Sequence, residues 1–147
     1  MPSIYRYRKV IDAFTTHQML SPGDIPFQEL CTLEDGYTYV SVPDGAALPE
    51  QPSVIAASVE AVALTDELRE RIKGASPHCQ RIAERVVERI REKYDLNHEL
   101  YLARIAVGAL QGTYVLRPGE AEWIAQYQVD VEAAREWGRQ QRAELGL

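Results

Sequence analysis

The 147-residue sequence is poor in sulfur and has no long apolar run. Its two cysteines, Cys31 and Cys79, fall in a strand-like run and in the first turn of a helix. No disulfide framework is therefore expected, and both read as reduced, half-buried thiols. No apolar stretch approaches the ~18 residues that a membrane span requires. Residues 4–10 are interrupted by Arg6, Arg8 and Lys9, which excludes the apolar block of a secretory leader there and points to synthesis in a cytosol. Dinucleotide-binding, P-loop, zincin and nucleophile-elbow motifs are all missing. His78-Cys79 is the one His/Cys adjacency. Neighbours on a helix do not face each other, and no further ligand lies at metal-site spacing, so neither a catalytic nor a metal role is expected of them. The carboxylate pairs Glu34-Asp35 and Glu120/Glu122 read as exposed. Cofactors and catalytic residues are expected to be absent.

Positive charge in excess is also lacking. The formal net charge is −6, which argues against nucleic acid as a partner. Residues 1–64 hold 3 basic and 8 acidic side chains, whereas residues 65–147 hold 13 and 14. The acidity thus belongs to the first half. In the second half, Arg81, Arg85, Arg89 and Lys93 form a column at helical spacing. Glu84, Glu88 and Glu92 follow them at three-residue offsets, so a self-neutralised, solvated face is expected rather than a phosphate-tracking stripe.

The local pattern changes near residue 65. Before it, Ile4-Tyr5-Arg6-Tyr7-Arg8 alternates like a half-buried strand. Residues 28–33 and 37–42 flank Glu34-Asp35-Gly36 as a hairpin, because Asp-Gly tolerates the backbone of a tight turn. Pro49 and Pro52 mark a connector, and residues 54–64 read as a further strand. With so few strands and so many prolines, residues 1–64 are expected to need a packing surface from elsewhere. After residue 65, four helices are expected. Thr65 caps the first, over 66–73, which Gly74 stops. Ser76-Pro77 opens the second, running to Tyr94. Asp95 or Asn97 caps the third, over 98–111, and Gly112 ends it. The last starts at Pro118 and reaches Glu144. Gly108 and Gly112 read as sites of close approach or helix termination. Ile82, Val86, Ile90 and Trp137 are the expected core of the helical part. The fold class is therefore α+β: a small N-terminal antiparallel strand region over 1–64, then a C-terminal helical bundle over 65–147, in one compact domain.

Tyr5, Tyr7, Tyr37 and Tyr39 in the strand region, and Trp123 and Tyr127 on the last helix, are the candidate interface residues, since Tyr and Trp anchor protein contacts.

Two segments carry a family resemblance. One is Tyr94-Asp95-Leu96-Asn97-His98-Glu99 with Arg104-Ile105 after it. The other is Val131-Glu132-Ala133-Ala134-Arg135-Glu136-Trp137-Gly138-Arg139-Gln140-Gln141-Arg142, closing on Leu145-Gly146-Leu147. Together they resemble small proteins encoded beside tail-fibre genes in tailed bacteriophages of Gram-negative bacteria, over about the last two-thirds of the chain. The resemblance implies a non-enzymatic tail-tip or tail-fibre-associated component of the virion, made in the host cytoplasm. Other tail or fibre proteins would be its partners, in a symmetric oligomer. It carries over no active site. A tail-fibre assembly chaperone absent from the mature virion is the second reading, and a small phage-encoded inhibitor of a host defence complex the third.

Overall fold

The computed structural model describes residues 1–147 and has an α+β fold. Four strands come first: β1 (Ser3–Tyr7), β2 (Gln28–Thr32), β3 (Thr38–Val42) and β4 (Glu60–Val62), with the short helix α1 (Ser53–Ala56) before β4. Four longer helices follow: α2 (Asp66–Ala75), α3 (Pro77–Arg91), α4 (Leu96–Gln111) and α5 (Glu120–Glu144). No helix is long and apolar enough to cross a membrane.

The chain forms two compact units. One comprises Met1–Arg81 with Gln141–Leu147, the other Ile82–Gln140. The change from strands to helices expected at residue 65 falls between β4 and α2, but the units are not divided there, and they differ from a single compact domain. The boundaries fall inside α3 and α5, where unbroken helical periodicity leaves no mark in the sequence.

In the first unit the sheet order is β2-β3-β1-β4, all pairings antiparallel. The hairpin of β2 and β3 is thus continued into a larger sheet by β1 and β4. β1 pairs with β3 from Ser3↔Val42 to Tyr7↔Thr38, and β4 extends the other edge of β1. β3 is interior and buried throughout. One face gathers Tyr7, Val40, Val42 and Ile55, with Tyr5, Phe27 and Val59 packed against them. The expected strand over 54–64 splits into α1 and the three-residue β4. α2 lies against β2, with Ile72 fully buried and Arg71 paired to Glu34 at 2.7 Å. Thr65 caps α2 by accepting from the Leu68 N–H at 3.1 Å. Gly74 does not stop this helix, which continues to Ala75. Ser76 does not use its hydroxyl as a cap either: Oγ is buried without a partner. The C-terminal Leu145 and Leu147 are buried. Between them Gly146 has φ +84°, and a Cβ there would stand 2.9 Å from the Pro2 carbonyl oxygen.

In the second unit Tyr94, Leu102 and Ile105 form the core, with Tyr114, Leu116, Ile124 and Tyr127 against it. Asp95 caps α4, accepting from the His98 N–H at 2.7 Å. α3 ends at Arg91 rather than Tyr94, and α5 starts at Glu120 rather than Pro118. Of the expected core set only Ile82 is buried; Val86, Ile90 and Trp137 are half-buried. A Cβ on Gly108 would meet the Tyr114 Cβ at 2.8 Å. The glycine therefore lets the link after α4 fold back onto the helix.

Candidate functional site

The six expected interface residues divide sharply. Tyr7 and Tyr39 are 1% exposed, which corrects their assignment to a surface. Tyr7 packs inside the sheet face, its hydroxyl accepting from the Met19 N–H at 3.2 Å. Tyr39 lies on the interior strand and donates its hydroxyl to Asp35 at 2.9 Å. Alternation placed both on a strand face, but each face of the sheet is covered, one by Phe27, Ile55 and Val59 and the other by α2 and the C-terminal residues around Gly146. Tyr5 is half-buried in the same core. Tyr37 is half-buried between two guanidinium groups, Arg6 at 4.1 Å and Arg8 at 4.3 Å from its ring centroid. Tyr127 is half-buried as well, and its hydroxyl is already engaged. Trp123 alone is broadly open, at 51% exposure.

The tyrosines of the second unit act as braces. Tyr94 on the α3–α4 connection donates to Asp130 of α5 at 2.6 Å. Tyr127 of α5 donates to Glu99 of α4 at 2.6 Å. The two rings meet edge to face at 5.1 Å. Tyr101 and Tyr114 both donate to Glu120 at 3.0 Å. Glu120, read from sequence as exposed, is buried, because these two hydroxyls replace its water. Burial, followed by the hydrogen bond to the carboxylate, pushes Tyr94 and Tyr127 up to about 12. Reciprocally, Tyr127 and then Arg91 hold Glu99 below its ordinary value, and Tyr94 and then Lys93 do the same for Asp130. Of the cation column, Arg81, Arg85 and Arg89 lie on α3 and do not form the expected ion pairs with Glu84, Glu88 or Glu92; Arg89 instead stacks 4.2 Å from the Trp137 centroid, and Lys93, beyond the end of α3, pairs with Asp130 at 2.9 Å.

With the tyrosines accounted for, a continuous stripe of open apolar side chains lies on α4. Leu96, Leu100, Ala103, Val107 and Leu110 recur at spacings of 4, 3, 4 and 3 residues. All five are exposed, the four larger ones between 41% and 89%. At 100° per residue this stripe lies on the side of the helix away from the buried Leu102 and Ile105. Leu110 also borders an apolar groove of about 330 Å3, shared with Ala106, Ala109, Leu116, Ala121, Ile124 and Gln128. This surface was legible as a period but hidden by a second one: α4 is apolar on two faces, so no single stripe stands out. In the first unit the most open apolar side chain is Phe14, 98% exposed. Its N–H donates to Asp12 Oδ1 at 2.8 Å, in a tight loop closed by the Val10–Thr16 bridge.

No group of three or more His, Cys, Asp or Glu side chains is placed to hold a metal ion. His78 is exposed and Cys79 buried, and burial pushes the Cys79 thiol up. Burial likewise raises Cys31, to about 11. A thiol so raised is protonated at neutral pH and is a poor nucleophile. Neither a family model, nor a curated protein, nor a solved structure matches the chain.

Proposed function

We propose that this chain is a non-enzymatic structural component of a bacteriophage tail, at the tail tip or on the tail fibre, that works through protein–protein contacts. The observation that carries the contact role is the exposed apolar stripe of α4 with its adjoining groove. Contiguous apolar surface on a small soluble chain marks a place where another molecule sits. Few charges interrupt it, as in the centre of protein interfaces. The tail setting rests on the resemblance of residues 94–105 and 131–147 to tail-fibre-associated proteins. On this reading the partners are other tail or fibre proteins, and the chain is made in the host cytoplasm and carried in the virion.

Mass spectrometry of purified particles tests the reading. A fixed copy number of this chain per particle is the expected result. Its absence from particles, together with its recovery on fibre protein in infected-cell extracts, would replace the virion role with that of an assembly chaperone. Recovery on a host defence complex instead would favour an inhibitor.

A further inference from the structure

We propose that the exposed stripe of α4 pairs with the same stripe of a second copy of this chain, the two helices running parallel. The inference deepens the contact-protein reading and rests on it. The spacing of Leu96, Leu100, Ala103, Val107 and Leu110 is that of a coiled-coil seam, in which alternate steps of three and four residues keep one edge of a helix facing its neighbour. The seam spans the whole of α4, from its first residue to one short of its last. Ala103 at its centre lets two helices approach closely, with larger side chains interlocking on both sides.

The residues bordering the seam identify the occupant. On one border lie Asn97, Arg104 and Gln111, and on the other Glu99 and Ala106. In a parallel pair, a residue on the second border meets the residue five positions later on the first border of its neighbour. Glu99 and Arg104 have this separation. Two-fold symmetry therefore sets Arg104 of each copy beside Glu99 of the other. None of the ion pairs within the chain uses Arg104, which is exposed. Glu99 is held in place by Tyr127 on one carboxylate oxygen and by its ion pair with Arg91 on the other, so Arg104 of the neighbour would join a carboxylate already oriented. The chain as a whole carries −6, yet the two borders together hold one charge of each sign. Two copies thus meet along α4 without the repulsion that their acidic surfaces would otherwise impose.

Sedimentation of the purified full chain tests the pairing. The expected mass at micromolar concentration is twice the 16.6 kDa of one chain. Val107→Asp/Leu110→Asp should sediment as a monomer with an unchanged circular dichroism spectrum, since both side chains already face water. Arg104→Glu should weaken the dimer, and Arg104→Lys should largely retain it. Orientation is read from Leu96→Cys and Leu110→Cys, each oxidised alone: in a parallel pair both cross-link to themselves. A wild-type chain that is monomeric throughout, or a dimer that survives Val107→Asp/Leu110→Asp, overturns the pairing. Cross-linking at neither end of a dimer overturns the parallel orientation. A monomer still found in particles would sink this pairing alone, whereas a dimer never found in particles would sink the tail reading alone.

Discussion

The two units handle aromatic and apolar residues in different ways. In the sheet unit, Tyr7 and Tyr39 are withdrawn into the fold, β3 is buried along its length, and even the chain's last residue is covered. In the helical unit, the tyrosines link one segment to another with a carboxylate at each hydroxyl, and one side of α4 is left open to water. The first arrangement arises because both faces of the sheet are covered, one by Phe27, Ile55 and Val59 and the other by α2 and the C-terminal residues around Gly146. The second frees a helix face: once Tyr94, Tyr114 and Tyr127 brace α4 from behind, its outer leucines add nothing to the unit's own core. A side chain's type therefore says less about its role than which unit holds it.

The largest effect that would break this comparison is on the inner side of α4. Leu102→Asp should cost upward of about 4 kcal/mol, since an unpaired carboxylate would enter a fully buried position. The helical unit should then lose its cooperative thermal transition. A variant that melts like wild type would show that α4 is not anchored by that face.

Next in size is Gly146→Ala. The residue has a left-handed backbone, and a Cβ would press on the Pro2 carbonyl oxygen at 2.9 Å. A loss of about 1–3 kcal/mol is expected, measured as a lower urea midpoint. No loss would mean that the C-terminal residues do not stabilise the sheet unit.

Tyr127→Phe removes one brace and should cost about 1.5 kcal/mol, the scale of a hydrogen bond to a charged group. The braces also set a pH window. Glu99 and Asp130 have lowered values, so their contribution is present above the ordinary 4.5 and 3.8 and is lost as pH falls through the folded values. Tyr94 and Tyr127 have raised values, so theirs is complete below the ordinary 10.0 and is lost as pH rises toward about 12. Melting temperature against pH should show a plateau between these limits, lower and with shallower flanks in Tyr127→Phe. An ultraviolet titration should find at least two of the eight tyrosines ionising near 12.

The smallest effect is the most specific. Leu100→Asp, two residues from Leu102 but on the open side, should change the stability of the monomer, compared with wild type at a concentration too low for pairing, by less than about 0.5 kcal/mol. A loss approaching that of Leu102→Asp would erase the distinction between the two sides of α4.

The sequence carried the fold class and most element boundaries, because caps and turns are local chemistry. Thr65, Asp95 and the Asp35-Gly36 turn act where their residue types suggested. Facts set by tertiary closure were not legible. Strand alternation placed Tyr39 on a face without revealing that other elements would cover that face. Gly74 looked like a helix stop, but its neighbours carry α2 on to Ala75. Glu120 looked exposed because its two tyrosine partners are 6 and 19 residues distant. The open stripe of α4 was written in the sequence as a period, yet only the burial of Leu102 and Ile105 shows which of two apolar faces is free.

The most direct test is to count copies of wild type and of Leu100→Asp/Val107→Asp in particles purified side by side. If the open face of α4 is where this chain makes its contacts, wild type is present at a fixed copy number and the double variant is lost from particles while remaining folded. Equal incorporation of the two would contradict the account and move the contact surface elsewhere, with Phe14 and Trp123 the next residues to change.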